Sequence, residues 1–246
     1  MNPHNFGHRQ FPTTTVPFST YNPPRHSGLD LIYCDESFLV VNKPAGLLSV
    51  PGRGTDKTDS MATRIQAEFP DARSVHRLDM GTSGLLIFAR GKDMHRQLSR
   101  LFHEHRVKKS YIAMLDGHID AAAGEVDIPL IPDWPNRPRQ RIDFFLGKSS
   151  LTYFRLLTHG EYPVHTTITL NEQRLDISRV ELTPVTGRTH QLRVHMAAIG
   201  HPILGDLLYG GEVGSATPRM LLHARTLSFV HPLHQMPLTL TCEPSF

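Results

Sequence analysis

Apolar positions recur along the chain at two spacings, which predict helices in a few segments and strands in most of the others. Met61, Ile65 and Phe69 lie on one face of a predicted helix, with Asp59 as its predicted N-cap. A second helix is predicted from about 92 to 105, with an apolar stripe made of Met94, Leu98, Leu101 and Phe102.

Shorter apolar runs bounded by turn residues predict strands, which dominate the second half of the chain. The predicted strands cover residues 29–33, 38–42, 85–89, 111–115, 126–131, 151–157, 165–170, 179–182, 220–222, 227–230 and 238–242. A third helix is predicted from about 187 to 199, closed by Gly200. Strands clustered without a strand–helix–strand repeat predict an α+β fold, with a mixed, mostly antiparallel sheet and flanking helices.

Composition narrows the class of protein without identifying it. The chain has 246 residues, 39% hydrophobic and 20% charged, which suits a globular protein with a substantial core. Its formal net charge is only +3, so any nucleic-acid footprint must come from local clusters of cations. Two distant cysteines, and the lack of a long apolar run or signal-peptide pattern, predict a cytoplasmic protein without disulfides or a membrane span.

Segment 74–84 carries the strongest chemical signal. Asp79 follows two candidate cations, His76 and Arg77, and precedes a turn rich in Gly, Thr and Ser. A buried strand is predicted directly afterwards, so this carboxylate is expected on a shaped loop at a strand edge, where catalytic side chains are often held. Taken alone, the same Asp also fits an ordinary turn former.

The string His76-Arg77-Leu78-Asp79, followed by Thr82-Ser83-Gly84, resembles the core motif of the RluA family of pseudouridine synthases. Four further strings match family motifs in the same order, at residues 41–47, 108–113, 184–195 with 200–206, and 221–224. The resemblance implies an isomerase that converts uridine in RNA to pseudouridine and has a central RNA-binding cleft. It also implies a single catalytic domain over 29–246, without the separate S4 domain of some members. Residues 1–28 are rich in Pro, Thr, Asn and His and nearly free of acids, which predicts a flexible tail.

The resemblance implies roles for individual side chains. Asp79 would be the nucleophile, or would stabilise positive charge at the sugar, kept ionised and oriented by Arg193. Tyr111 would stack on the extruded base and take the C5 proton, while Arg77 would hold the nucleotide outside its stack. The residue types alone leave other roles open: a core aromatic for Tyr111, an ion pair for Arg77 and a solvated helix face for Arg193.

A uridine must leave its stack before protein groups can reach it, so the RNA backbone has to be held by cations. Two basic clusters flank Tyr111, and Trp134 beside the second offers a ring for stacking. The predicted substrate-binding residues are Arg77, His76, Leu222, Lys43, Arg106, Lys108, Lys109, Arg137 and Arg139, with Arg100 and Arg141 in the same clusters. Structural roles remain open for Lys43, His76 and Leu222.

No metal or organic cofactor is expected, because His190 and His195 fall on different sides of a helix and no phosphate-binding loop is present. RNA is the expected partner, with no membrane or protein partner, and the protein is expected to act as a monomer. Strings 47–53 and 133–138 are similar to those of dual-specificity family members. That similarity implies one target uridine in large-subunit ribosomal RNA and one in a tRNA anticodon stem-loop.

The chain departs from the family pattern in its longer N-terminal tail and at about 158–174, where residues are inserted. Two alternative functions remain open. An RNA-directed glycosidase or hydrolase would usually need a second carboxylate to handle water, and none is expected near the motifs. A non-catalytic RNA-binding module would need no carboxylate at all.

Overall fold

One large sheet forms the centre of the computed structural model, which describes residues 21–157, 165–170 and 173–246. In chain order its strands and those of a small hairpin are β1 (Leu31–Cys34), β2 (Phe38–Lys43), β3 (Ala72–Ser74), β4 (Ser83–Arg90), β5 (Lys108–Asp116), β6 (Ala123–Asp127), β7 (Leu130–Pro132), β8 (Gln140–Ile142), β9 (Leu151–Leu156), β10 (His165–Leu170), β11 (Gln173–Pro184), β12 (Leu222–Val230) and β13 (Pro237–Thr241). Strands β7 and β8 form the hairpin, and the other eleven form the sheet.

The order of the main sheet is β1-β2-β4-β12-β5-β11-β9-β6, with β3 beside β4, β13 beside β12 and β10 beside β11. Only β4 and β12 run parallel among the described pairs, where Ser83 and Gly84 face His223 and Ala224. Gly84 has a φ of +106°, and a Cβ there would lie 2.3 Å from the carbonyl oxygen of Ala224, so no larger residue fits. The predicted mixed, mostly antiparallel sheet is confirmed.

Three helices flank the sheet: α1 (Met61–Glu68), α2 (Gly91–His103) and α3 (Gln191–Ala198). The predicted N-cap of α1 is wrong by one residue. Ser60 caps the helix, its hydroxyl accepting from the amide of Thr63 at 3.2 Å, while Asp59 pairs instead with Arg64 at 2.8 Å. Helix α3 begins four residues later than predicted, because His190 adopts a left-handed backbone with φ +55° and precedes the first turn.

One predicted strand, 126–131, is two separate strands, β6 and β7, in different sheets. Ile128 and Pro129 lie between them, and proline has no amide hydrogen to donate to a ladder. Conversely, the two predicted strands at 220–222 and 227–230 are one strand, β12. Strands β3 and β8 were not predicted; both are three residues long, too short for a clear alternation.

Apolar clusters cover both faces of the sheet and explain why its central strands are continuous apolar runs. Residues 85–89 of β4 are fully buried. One cluster lies under α2, a second under α1, and a third joins α3 to β5, β11 and β12. Burial on both faces removes the alternation that marks a half-exposed strand.

The contacts of the domain begin at Tyr21, inside the segment predicted as a tail. The Tyr21 hydroxyl donates to the Asp59 carbonyl at 2.9 Å, and the Pro24 carbonyl accepts from Arg64 at 2.6 Å. Residues 1–20 lie outside the described residues, as do 158–164 and 171–172 of the predicted insertion. No helix among the described residues is long and apolar enough to cross a membrane.

Candidate active site

The loop that carries Asp79 is held by buried hydrogen bonds on both sides of this residue. The Ser49 hydroxyl donates to the Leu78 carbonyl at 2.7 Å, and the Leu78 amide donates back to it at 3.0 Å. On the other side, the Met80 carbonyl accepts from Lys43 Nζ at 3.2 Å and from the Gly46 amide at 2.8 Å. The loop is therefore preorganised before any substrate binds.

Arg193 lies between two carboxylates and links them. Its Nη1 donates to Asp79 Oδ2 at 3.0 Å, while Nε and Nη2 donate to the two oxygens of Asp206, each at 2.7 Å. The side chains of Arg193 and Asp206 are 8% and 1% exposed, against 22% for Asp79. Asp79 is thus the one acid of this group that is open to a substrate, and the predicted pairing of Asp79 with Arg193 is present.

The carboxyl of Asp79 is ionised in this setting. Burial opposes its charge, but the positive charges and hydrogen bond around it outweigh burial and hold its pKa below the usual value. Burial lowers the pKa of His190 to about 4, so this ring is neutral at pH 7 and Arg193 is the effective cation. Burial also opposes the charge of Arg193, yet the nearby Asp206 and Asp79 raise its pKa.

Tyr111 lies on the sheet near the Asp79 pocket, which is the group formed by Asp79, Arg193, Asp206 and His190. In β5 it faces Ala224 of β12, and Leu222 faces Ala113, so Tyr111 and Leu222 point to the same side of the sheet. Burial, and then the charge of Asp79, raise the pKa of the Tyr111 phenol. Its hydroxyl has no hydrogen-bond partner among the described residues. The ring also packs against two core clusters, so the core role and the substrate-facing role coexist.

Arg77 and His76 point in different directions, as the two-residue period of an extended segment predicts. Arg77 is exposed and contributes to the field that lowers the pKa of Asp79. His76 instead stacks on Phe102 with ring centroids 4.5 Å apart, and its Nε2 accepts from the Ile87 amide at 3.2 Å. Of the two roles left open for His76, these contacts fit the structural one.

The assignment of Lys43 to the RNA-binding set is corrected by the structure. Lys43 is 0% exposed, and its ammonium donates to the carbonyls of Pro44, Leu47 and Met80 at 2.8, 2.7 and 3.2 Å. Burial lowers its pKa to about 7, although the charge of Asp79 acts in the opposite direction. Lys43 has no free donor for a phosphate and braces the Asp79 loop instead.

The first basic cluster is only partly available to RNA. Arg100 and Arg106 both contact Glu104, at 2.6 and 3.6 Å, so each shares its charge with that carboxylate. Lys108 is exposed. Lys109 is half-buried over the Phe102 ring at 5.9 Å, and burial lowers its pKa.

The second cluster lies on the hairpin of β7 and β8. Trp134 is 65% exposed, and the Arg137 guanidinium covers its ring at 3.1 Å from the centroid. Arg139 precedes β8, and Arg141 within it pairs with Asp143 at 2.9 Å. The amide of Gln140 donates to the Tyr209 hydroxyl at 2.7 Å. That bond anchors the hairpin beside the pocket, because the Tyr209 ring lies 5.1 Å from the Arg193 guanidinium.

Potential metal ligands meet away from this pocket. Asp35, His231 and His234 have ligand atoms within 4.8 Å of one another. His231 Nδ1 already accepts from the amides of Leu233 and His234, and its Nε2 lies 2.8 Å from Asp35 Oδ2. Both ring nitrogens are therefore engaged within the protein. His190 and His195 have separate partners: His195 Nδ1 bonds to Thr152 at 2.9 Å, and His190 Nδ1 to Tyr209 at 2.8 Å.

Sequence reasoning missed His190, Asp206 and Tyr209 as members of the site. His190 and Asp206 fall within the matched strings 184–195 and 200–206, and Tyr209 lies three residues after the second string, so the strings were the signal that could have found them. The expectation that no second carboxylate lies near the motifs is wrong, since Asp206 shares Arg193 with Asp79. Asp206 is nonetheless saturated, because Arg193 and the amides of Leu208 and Tyr209 all donate to it.

Comparison with known proteins agrees with this geometry. The family model described as RNA pseudouridylate synthase matches residues 37–198. The chain is 47% identical over 227 residues to the dual-specificity RNA pseudouridine synthase RluA of Escherichia coli (strain K12), covering 92% of this chain and 98% of that protein. It is 46% identical over 228 residues to the protein of the same name from Pasteurella multocida (strain Pm70), with the same coverage of both.

The solved structure of human RNA pseudouridylate synthase domain containing 1 matches with a TM-score of 0.74 and 33% identity, covering 92% of this chain and 87% of that chain. A second human structure, of RNA pseudouridylate synthase domain containing 4, matches with a TM-score of 0.65 and 25% identity, covering 87% and 88%. The chain therefore belongs to the RNA pseudouridylate synthase family and is an RluA-type RNA pseudouridine synthase, an isomerase.

Proposed function

We propose that the protein isomerises one uridine in large-subunit ribosomal RNA and one in a tRNA anticodon stem-loop, with Asp79 as the catalytic carboxylate. The name of its bacterial relatives, dual-specificity RNA pseudouridine synthase, supports more than one RNA substrate. The observation that carries the catalytic assignment is the geometry of Asp79. It is the exposed member of a buried acid–arginine–acid group and lies beside the free hydroxyl of Tyr111.

The proposed reaction needs only atoms of the substrate. The C1′–N1 bond of an extruded uridine breaks while Asp79 bonds to, or stabilises, the electron-poor partner. The uracil stays in the pocket and turns, C5 bonds to C1′, any bond to Asp79 breaks and frees the carboxylate, the C5 proton leaves and N1 gains a proton. Arg193 stays charged throughout and keeps Asp79 Oδ2 in place. No metal or organic cofactor has a step in this scheme.

Tyr111 is proposed to stack on the base and to take the C5 proton. The raised pKa of its phenol disfavours a resting phenolate, and the charge of Asp79 is one of the two causes. Once Asp79 has reacted or has been neutralised by the substrate, that cause is weaker. Since the C5 proton can leave only after C5 has bonded to C1′, Asp79 is proposed to act first and Tyr111 second.

The same proposal extends to the domain, the oligomeric state and the residues that hold the RNA. A single catalytic domain is proposed that takes in the described residues from Tyr21 onward, eight residues before the predicted boundary at 29, and the protein is proposed to act as a cytoplasmic monomer. Arg77 and the hairpin cations Arg137 and Arg139 hold the RNA, and Leu222 packs beside the extruded base. The exposure of Arg77 and Arg137 supports this division.

The deciding experiment compares Asp79→Asn with Asp71→Asn, the same change at an exposed Asp paired with Arg90. Each protein is incubated, without metal or cofactor, with an anticodon stem-loop and a ribosomal RNA hairpin, and isomerised bases are mapped. Asp79→Asn should bind both RNAs but lose product formation by at least about 10³-fold, while Asp71→Asn stays active.

Other outcomes point elsewhere. Full activity of Asp79→Asn removes this residue from the chemistry. Release of free uracil by the parent protein indicates the glycosidase alternative. Tight RNA binding by the parent without any product indicates a non-catalytic RNA-binding module, whatever the variants do.

A further inference from the structure

A chain of three hydrogen-bonding groups runs from the hairpin to Asp79. The Gln140 amide donates to the Tyr209 hydroxyl at 2.7 Å, and that hydroxyl lies 2.8 Å from His190 Nδ1. His190 Nε2 lies 3.7 Å from Asp79 Oδ1. The chemistry of these three groups decides which of them donates in each bond.

The backbone amide of Gln140 can only donate, so the Tyr209 oxygen accepts this bond and its own hydrogen can be donated to His190 Nδ1. A neutral imidazole that accepts at Nδ1 carries its proton on Nε2. The other tautomer would turn a lone pair of Nε2 toward the oxygen of Asp79, which is repulsive. The geometry therefore favours one tautomer, with N–H facing the carboxylate.

The two oxygens of Asp79 are not equivalent. Oδ2 is bonded to Arg193 at 3.0 Å, whereas Oδ1 has no donor within hydrogen-bond range among the described residues. His190 Nε2, at 3.7 Å, is just beyond that range, and a shift of under about 1 Å would close the bond. Arg193 fixes one oxygen, and His190 Nε2 faces the other without bonding to it.

The backbone of His190 supports a functional role for its placement. Its φ of +55° is a left-handed conformation that a residue with a side chain adopts only when its surroundings require it. The carbonyl of His190 accepts from the Val194 amide in the first turn of α3. This arrangement puts His190 and Arg193 within one turn, so both reach Asp79 from the same helix start.

We propose that His190 is a positioning residue for Asp79, held in its Nε2–H form by Tyr209 and, through Tyr209, by the RNA-binding hairpin. The inference rests on the proposed role of Asp79. Its consequence is that a hairpin moved by RNA also moves the donor that faces the reactive oxygen. The docking of RNA on the hairpin and the orientation of the Asp79 carboxylate are then linked through Tyr209 and His190.

The test compares His190→Gln with His190→Leu, both of which keep a Cβ at the left-handed position. Gln retains an N–H donor, whereas Leu has none. We expect His190→Leu to lower kcat by about 10-fold or more with an unchanged KM for the stem-loop, and His190→Gln to recover most of that loss. Equal kcat values for both variants would overturn the proposal.

A second measurement does not depend on activity. The ¹⁵N shifts of the His190 ring in the full-length protein report which nitrogen carries the proton. We expect Nε2–H in the parent and a mixture of tautomers in Tyr209→Phe, which keeps the ring over Arg193. A proton on Nδ1 in the parent would overturn the proposal even if the variants fold poorly. An inactive Asp79→Asn with an unaffected His190→Leu would refute this inference and leave the proposed function intact.

Discussion

The Asp79 pocket and the β7–β8 hairpin both depend on arginine, but they use its charge in opposite ways. In the pocket, Arg193 is 8% exposed and has five hydrogen-bond donors, three of which bond to two carboxylates. On the hairpin, Arg137 is exposed and its guanidinium covers an exposed indole ring. The pocket uses a cation to fix an anion in place, while the hairpin exposes a cation that is proposed to contact RNA.

Under the proposed function, this difference lets one chain with a formal net charge of only +3 hold both a carboxylate and an RNA backbone. Buried charge is matched within the protein, because an unpaired ion is very unfavourable away from water. Surface charge is left partly unmatched where the ligand supplies the counter-charge. The two regions meet at Tyr209, which bonds to Gln140 of the hairpin and to His190 of the pocket.

The largest expected difference between the two regions is in stability, when one arginine is removed from each. Arg193→Ala leaves Asp79 and Asp206 without their cation, and it should lower the free energy of unfolding by about 3–5 kcal/mol. Arg141→Ala removes a half-exposed pair with Asp143, and it should cost under about 1 kcal/mol. Urea unfolding of both variants checks the prediction. If Arg193→Ala lowered the free energy of unfolding as little as Arg141→Ala does, the two regions would not differ in how they use arginine.

Acid should weaken the pocket side of the molecule and spare the hairpin, which has no histidine between 130 and 142. Burial lowers the pKa values of His190 and His195 to about 4 and of His76 to about 3. These rings are neutral when folded, whereas the unfolded chain takes up protons near pH 6.5. Their contribution is therefore complete above about pH 6.5 and is lost as the pH falls toward about 4.

The measurement is the free energy of unfolding at several pH values between about 7.5 and 4.5. We expect a fall of several kcal/mol over this interval, about 2 kcal/mol of it from His190 by pH 5. His103→Gln, at an exposed position of α2, should leave the slope unchanged. A flat profile would mean that these rings take up protons as readily in the folded protein as in the unfolded chain.

The smallest effect is expected from the hairpin. Arg137→Ala should raise KM for the stem-loop by about 3- to 10-fold and leave kcat at saturating RNA unchanged, because the residue is proposed to hold the RNA without touching the reacting atoms and saturating RNA still docks the hairpin. The slope of log affinity against log salt should fall by about 0.7–0.9 for each phosphate that the variant no longer neutralises. A lower kcat at saturating RNA would instead connect Arg137 to the pocket.

Periodicity and motif strings predicted much of this molecule, and their failures have physical causes. The spacing of Met61 and Ile65 found α1 because a single helix face is buried. The run 126–131 was wrongly predicted to be one strand, because Val126 and Leu130 are both buried core residues although they lie in different sheets. A short stretch of sequence indicates whether its residues are buried. It does not indicate which strand they pair with, because that depends on segments far away in the chain.

The candidate site shows the same division. The strings around Asp79 and Arg193 predicted their contact, which joins residues 114 positions apart. The same strings did not reveal that Asp206 takes two of the donors of Arg193, or that Lys43 is sealed under the loop. Both facts depend on which backbone carbonyls and amides come together in the fold, and side-chain identity alone does not carry that information.

The position of β12 in the sheet affects how the protein folds during its synthesis. This strand lies between β4, which follows Asp79, and β5, which carries Tyr111. During synthesis on a ribosome, β4 and β5 are made long before β12, the strand that lies between them and pairs with both. Until residue 222 and those after it emerge, β4 and β5 each have an open edge where β12 belongs. A growing chain is therefore expected to gain the ability to modify RNA late in its synthesis.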